Sequence, residues 1–119
     1  METVSGLRKS VCYIFQPHGY APVRLMKDAY IEAFTRGLRP GDHLKVLPIY
    51  YAGGTTNMDI SSLDLVRGIT EGGKSAEAVD TREEVLEKIG RWQCYVVLGA
   101  RDETLAEFAG DIARRLQGL

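Results

Sequence analysis

The chain lacks the features that point to a membrane, secreted or nucleic-acid-binding protein. None of its apolar runs approaches the ~20 residues that a membrane-spanning helix needs. The opening residues METVSGLRKS contain no apolar stretch of the secretory-signal type. The formal net charge is only −1, which predicts no general attraction to nucleic acid or anionic membranes. We therefore expect a cytoplasmic protein with no nucleic-acid or membrane partner.

Cysteine is scarce, and familiar catalytic motifs are missing. Cys12 and Cys94 lie far apart, each in an apolar run, and form neither a C-x-x-C pair nor a metal-ligand spacing. We expect both to be buried free thiols, and no metal site. The sequence has no Ser-His-Asp order, no H-E-x-x-H motif and no close carboxylate pair. A receiver-type phosphorylation site is excluded because no acidic residue follows the first strand-like segment, VCYIFQ.

What the sequence does contain is an alternation of strand-like and helix-like segments. The length of 119 residues suits one domain, residues 1–119. Strand-like runs are VCYIFQ, HLKVLPIYY, SAEAV and QCYVVLGA, and helical patterns precede, separate and follow them. This order predicts an α/β fold, a three-layer αβα Rossmann-like domain with a mainly parallel sheet of about four strands.

The helix boundaries are predicted from turn and capping residues. A short polar helix is predicted over residues 2–9, and the next helix begins with Pro22 at its first position and stops at Gly37. Pro48 moves the second strand toward a sheet edge or a bulge. Capping patterns predict three further helix starts, at Ser61 or Ser62, at Thr81 with Glu84 (a helix to about Gly90) and at Asp102. Apolar spacing predicts the buried face of the first of these helices at Leu63, Val66 and Ile69. It predicts the buried face of the last helix at Leu105, Phe108, Ala109, Ile112 and Leu116.

The stretch GITEGGKS, residues 68–75, matches the phosphate-binding pattern G-x-x-x-x-G-K-[ST]. A phosphate-binding loop must follow a strand and open a helix, so that its N–H groups converge on the anion. Here the preceding residues have helical spacing and the following ones are strand-like. We therefore interpret the match as a helix stop before a strand, and expect Lys74 to bind no nucleotide.

Open α/β sheets bind ligands at loops that follow the carboxyl ends of strands. The first such loop contains His18, Tyr20 and Arg24, and Ala21 leaves the next helix without a side-chain cap. The later loops contain Tyr50 and Tyr51, then Gly99, Arg101 and Asp102. Each has an ordinary structural alternative: His18 can bond a backbone carbonyl, the tyrosines can pack at a strand end, and the charged residues can be solvated or act as caps.

Three stretches of the chain resemble the C-terminal domain of the Mur ligases, the alanine-ligase and muropeptide-ligase type. The resemblance begins with the family phrase F-Q-P-H-R-Y-x-R-T-R, which is matched here by Phe15, Gln16, Pro17, His18, Tyr20 and Arg24. IYYAGG resembles the family's Y-x-A-G-E, and VVLGARD resembles its G-A-G-D after a late strand. The spacing of the three stretches also fits, so the resemblance covers nearly the whole chain.

The resemblance implies part of an ATP-dependent amide ligase that makes peptidoglycan precursors. In such enzymes the central domain binds ATP and Mg, the N-terminal domain holds the UDP-sugar, and the C-terminal domain closes over both. This chain would be that last domain, part of a longer ligase and inactive alone, with no cofactor of its own. Its partners would be an amino acid or short peptide and a UDP-N-acetylmuramate-type substrate. The implied substrate-binding residues are His18, Tyr20, Arg24, Tyr51, Gly53 and Gly54.

Three departures from the family pattern leave a second interpretation open. Gly19 and Pro22 stand where the family has arginines, and Gly54 replaces a glutamate. Each charge-assisted bond that such arginines make is worth roughly 1.5–3 kcal/mol, so losing two would cost about 10² to 10⁴ in affinity. The alternative is a stand-alone, non-catalytic binding or regulatory α/β domain that kept the fold and lost the chemistry.

Overall fold

A four-stranded parallel sheet with helices on both faces makes up the described part of the chain. The computed structural model describes residues 10–50, 60–89, 92, 94–99 and 103–118. Its strands are β1 (Val11–Gln16), β2 (His43–Val46), β3 (Ala76–Ala78) and β4 (Cys94–Gly99). Its helices are α1 (Tyr20–Gly37), α2 (Ser62–Glu71), α3 (Arg82–Glu87) and α4 (Glu103–Gln117). The Rossmann-like three-layer prediction is confirmed.

The strand order β3-β2-β1-β4 puts the first strand inside the sheet. All three strand pairs are parallel, with Phe15 opposite Val46 on one side and Leu98 on the other. The chain therefore moves outward from β1 through β2 to β3, and then crosses back to place β4 on the other side of β1. The strand order reverses between β1 and β4, which is where sheets of this kind open a ligand crevice.

The sheet separates two apolar cores, and every residue of β1 is buried because both faces are covered. On one face, Tyr13 and Phe15 pack with α1 and α2, and Val96 and Leu98 of β4 join them. On the other face, Cys12 and Ile14 pack with residues of α3 and α4; the packed residues of these helices include Val85, Leu105, Phe108 and Ile112. The predicted apolar stripe of α4 is thus confirmed.

Two predictions about strands need correction. β2 ends at Val46 and lies between β1 and β3, so Pro48 follows the strand and marks neither a sheet edge nor a bulge within it. Cys12 is fully buried as expected, and burial raises the pKa of its thiol to about 12. Cys94 is only partly buried, because it begins β4, which among the described strands has β1 as its single neighbour.

The helix predictions hold for the number and order of the described helices and fail at some boundaries. α1 begins at Tyr20, so Pro22 occupies its third position rather than its first. Ser61 is the N-cap residue of α2 as predicted, and its N–H donates to the Asp64 carboxylate at 2.8 Å. Of the predicted apolar face, Ile69 is buried and Val66 packs against the core, whereas Leu63 is 59% exposed and Leu65 is buried in its place. α3 ends at Glu87, three residues earlier than predicted. The helix predicted over residues 2–9 and the cap Asp102 lie outside the described residues.

Candidate functional site

The candidate site lies at the carboxyl edge of the sheet, the edge at which β1 ends with Gln16 and β4 ends with Gly99. These two residues pair at the point where the strand order reverses. A Cβ atom on Gly99 would lie 2.9 Å from Cδ2 of Leu105 and 3.0 Å from the carbonyl oxygen of Gln16. A side chain at position 99 would require the Leu105 side chain and the β1 backbone to shift, so glycine favours this close approach of β4, β1 and α4.

His18 and Tyr50 meet at this edge. His18 follows β1 and Tyr50 follows β2, and an isolated parallel β-bridge joins these two residues beyond the ends of their strands. The Gly19 N–H donates to the Tyr50 carbonyl, and the Tyr50 N–H donates to the Pro17 carbonyl, both at 2.8 Å. The two rings stack with centroids 4.7 Å apart and planes 22° apart. The backbone bridge thus holds two exposed hydrogen-bonding side chains together in the first two loops that sequence analysis selected.

No side chain caps the N-terminus of α1, as predicted. Its cap residue is Gly19 rather than the expected Ala21, because the helix begins earlier than predicted. Gly19 has a φ of +83°, and an added Cβ there would lie 3.1 Å from Cδ of Pro22. Pro22 has no N–H group, and the Val23 N–H already donates to the Gly19 carbonyl. Pro22 and Val23 therefore offer no N–H group to an anion at this end of α1.

The remaining predicted residues are spread over this edge. Tyr20 begins α1 and lines a cavity of about 190 Å³ on the α2 side, with Pro48, Ser61 and Asp80 among its other walls. Arg24 is an exposed residue one turn further along α1. Tyr51, Gly53 and Gly54, like Arg101 and Asp102, lie outside the described residues. His18 and Tyr50 are thus the pair of predicted residues that the structure brings into direct contact.

Arg82 is a cation at the carboxyl edge that sequence analysis did not select. Its Nη2 donates to Oε1 of Gln16 at 3.3 Å, and its guanidinium lies 5.3 Å from the ring centre of Phe108. The Gln16 side chain also donates to the Pro48 carbonyl, so it is held from two sides. One feature of the sequence could have pointed to Arg82. It is the first residue of α3, where a positive charge is unfavourable because it opposes the helix dipole.

The GITEGGKS stretch forms a helix end, as predicted. Residues 68–71 belong to α2, and β3 begins at Ala76. The Gly72, Gly73 and Lys74 N–H groups donate to carbonyls of α2 at 3.0–3.3 Å, so they close the helix and do not form a phosphate cradle. The Lys74 ammonium donates to the Leu38 carbonyl at 2.7 Å, at the end of α1. These residues do not fit a nucleotide.

Addition of Mg-ATP should therefore leave the backbone amide NMR signals of residues 72–75 in place. Lys74→Ala should reduce the free energy of unfolding by only about 0.5–1.5 kcal/mol, because one hydrogen bond to Leu38 is lost. Lys74→Met is the matched variant, since it keeps the aliphatic stem and removes only the donor. Saturable, nucleotide-dependent shifts of these amides would show that the phosphate-loop interpretation had been rejected wrongly.

Two further observations limit the kind of site present. Within the described ranges, no group of three or more His, Cys, Asp and Glu side chains is placed to hold a metal ion. None of the helices in the part of the chain that the structure describes is long and apolar enough to cross a membrane.

Known proteins match the chain over most of its length. UDP-N-acetylmuramate–L-alanine ligase of Hyphomonas neptunium is 36% identical over 115 residues, 92% of this chain and 23% of that enzyme. The enzymes of the same name from Fusobacterium nucleatum and Synechococcus sp. RCC307 are 30% and 29% identical, over 89% and 92% of the chain. The chain spans only 21–23% of the length of these three relatives. No protein-family profile matches the chain.

Fold and site together define a parallel α/β domain whose candidate site lies at the carboxyl ends of its strands. The sequence identity to UDP-N-acetylmuramate–L-alanine ligases shows that the chain belongs to the Mur ligases, and it corresponds to their C-terminal domain.

Proposed function

We propose that the chain is the substrate-binding C-terminal domain of an ATP-dependent amide ligase that makes peptidoglycan precursors. The observation that carries this proposal is the 36% identity to an L-alanine ligase over 92% of the chain. The location of His18, at the carboxyl edge and beside the β1–β4 reversal, supports it. The chain is proposed to be one domain of a longer enzyme, to be inactive alone, and to act in the cytoplasm.

In this proposal the chain binds and orients the incoming amino acid or short peptide. His18 donates a hydrogen bond to the substrate, and its stacking on Tyr50 fixes the ring plane. Arg24 on α1 and Arg82 on α3 supply positive charge for a substrate carboxylate. ATP, Mg and the UDP-N-acetylmuramate-type substrate are assigned to other domains of the enzyme, because GITEGGKS does not fit a nucleotide.

The substrate is proposed to differ from L-alanine. Gly19 and Pro22 replace arginines of the family pattern, and in this chain the φ of +83° at Gly19 strains any residue with a side chain. Gly19 and Pro22 therefore together determine the backbone shape of the loop between β1 and α1. With less positive charge than the family pattern, the domain alone should bind free alanine or a short peptide only at millimolar levels or more weakly.

The test uses the complete reading frame that contains this chain, expressed whole. Phosphate release from ATP is measured with UDP-N-acetylmuramate and a panel of amino acids and peptides. We expect turnover with an incoming group other than L-alanine. His18→Ala and Arg24→Ala should each lower kcat/KM for that group by about 10- to 150-fold, the equivalent of one charge-assisted hydrogen bond.

Arg36→Ala is the matched control for Arg24→Ala, because Arg36 lies on the same helix but at its far end, with 80% of its side chain exposed. It should leave kcat/KM unchanged. Efficient coupling of L-alanine would contradict the altered specificity and keep the ligase assignment. Absence of ATP turnover with every partner would contradict the ligase assignment and favour the non-catalytic binding domain.

A further inference from the structure

Lys45 is a lysine at the centre of the sheet. It lies in β2 between Ile14 of β1 and Glu77 of β3, and only 2% of it is exposed. Its neighbours Leu44 and Val46 in the same strand point into the apolar core on the α1 and α2 side. An ammonium group in such a position loses its hydration and needs partners to replace it.

The partners that the structure provides do not include a close hydrogen bond within the described residues. The Lys45 Nζ atom is 3.7 Å from Oε1 of Glu77, which is an ion pair beyond hydrogen-bonding distance. It also lies 5.7 Å from the ring centre of Trp92. Glu77 is itself 44% exposed, so its charge is partly screened by solvent. The partners described for Lys45 thus leave donor capacity unused.

A cavity of about 290 Å³ lies in front of Lys45 and holds further donors. Its walls include His43, Ser75 and Lys88, together with Trp92 and Glu77. His43 stacks on Trp92 with ring centres 5.1 Å apart, and its Nδ1 lies 2.6 Å from the Ser75 hydroxyl. Two lysines and one carboxylate therefore line the same cavity, and the His43 imidazole lies beside them with its Nε2 3.6 Å from Oε1 of Glu77.

We propose that this cavity binds a small oxyanion, a carboxylate or phosphate group, between Lys45, Lys88 and His43. The site lies at the amino edge of the sheet, since His43 begins β2 and Ser75 and Trp92 precede β3 and β4. It is therefore distinct from the crevice at the carboxyl edge and independent of the ligase proposal. The bound oxyanion takes over the hydrogen bonds that Glu77 is too distant to accept from Lys45.

The experiment exploits Trp92, which is the single tryptophan of the chain and a wall of the cavity. Sodium phosphate and sodium acetate are titrated separately into the 119-residue chain, with sodium chloride of equal ionic strength as the reference. We expect a saturable change in tryptophan emission with at least one oxyanion. The anion that binds more tightly identifies the class, phosphate or carboxylate.

Lys45→Met should weaken the binding by at least 10-fold. This variant should fold, because methionine keeps most of the volume of the lysine side chain and the carboxylate left behind, Glu77, is 44% exposed and stays hydrated. Lys88→Met is a second variant at a more exposed wall and should weaken binding as well. Lys27→Met, on the opposite face of the sheet, is the control and should bind like the unchanged chain.

Two results would overturn the proposal. The first is an emission change with phosphate and acetate no larger than that with chloride. The second is unchanged affinity in both Lys45→Met and Lys88→Met, which would place the anion elsewhere. In either case the partners of Lys45 among the described residues would be Glu77, through the ion pair, and Trp92.

Discussion

Phe108→Ala should reduce the free energy of unfolding by about 3–5 kcal/mol, as expected for truncating a buried phenylalanine. Phe108 is 3% exposed and packs in the core between α4, α3 and the sheet. Domains of this size have a total stability of only about 5–15 kcal/mol, so the loss would be a large part of the whole. Urea unfolding monitored by circular dichroism measures it directly.

Glu107→Ala is the control for this change, because Glu107 is the exposed neighbour of Phe108 on the same helix. It should change stability by no more than about 0.5 kcal/mol. A loss below about 1 kcal/mol for Phe108→Ala would mean that the packing of α4 on the sheet is wrongly assigned. Phe108→Leu keeps most of the apolar volume and removes the ring beside Arg82, so it separates packing from the contact with that cation.

The order of strands and helices could be predicted because it depends on local signals. Apolar runs indicated the four strands, and the capping residues Ser61 and Thr81 indicated two helix starts. The Thr81 hydroxyl accepts a hydrogen bond from the Glu84 N–H, as the sequence pattern indicates. The helix–loop–strand order around GITEGGKS was likewise readable from the sequence, and the structure has this order.

Which face of a strand meets which helix could not be predicted. β4 is apolar at nearly every position, and a strand covered on both faces loses the alternation that would identify its sides. Val96 and Leu98 belong to the sheet on which α4 packs, but they face α1 and α2, and Tyr95 and Val97 face α4 instead. The face of the sheet on which each helix packs is set by the crossover connections between strands, and these are long-range features of the chain.

The same limit explains what was missed at the site. Arg82 follows β3 in sequence, but its guanidinium meets Gln16, the last residue of β1, because α3 crosses to the far side of the sheet. That contact joins residues 66 positions apart, and no local pattern indicates it. His18 and Tyr50 were each selected within their own loops, but their contact depends on a bridge between the two loops.

Asp42→Ala should reduce the free energy of unfolding by about 2–4 kcal/mol, because it removes the acceptor of several hydrogen bonds, each worth more than usual since the acceptor is charged. Asp42 is 3% exposed and closes the turn Arg39–Asp42 before β2. Its carboxylate accepts from the Val11 N–H and the Arg39 N–H, both at 2.9 Å, and from the Arg39 guanidinium at 3.1 Å. Removing it would free the start of β1 from the turn.

The pH dependence of this loss provides a sharper test than its size. Burial raises the pKa of Asp42, but the hydrogen bonds from Arg39 and the Val11 N–H outweigh it and hold the pKa below its usual value. A carboxyl with a lowered folded-state pKa stabilises the fold above its unfolded pKa of about 3.9, and this stability disappears as the pH falls through the folded value. The stability difference between the unchanged chain and Asp42→Asn should therefore be constant from about pH 7 to 5 and shrink below about pH 4.

Asp111→Asn is the matched control, because Asp111 pairs with Arg114 at the same i,i+3 spacing as Arg39 and Asp42 but with 45% of its side chain exposed. Solvent screens an exposed pair, so this variant should differ from the unchanged chain by no more than about 1 kcal/mol at any pH. Unfolding curves of all three proteins, measured between about pH 2 and 7, provide the comparison. A difference for Asp42→Asn that stays the same below pH 4 would show that Asp42 acts through shape alone and not through its charge.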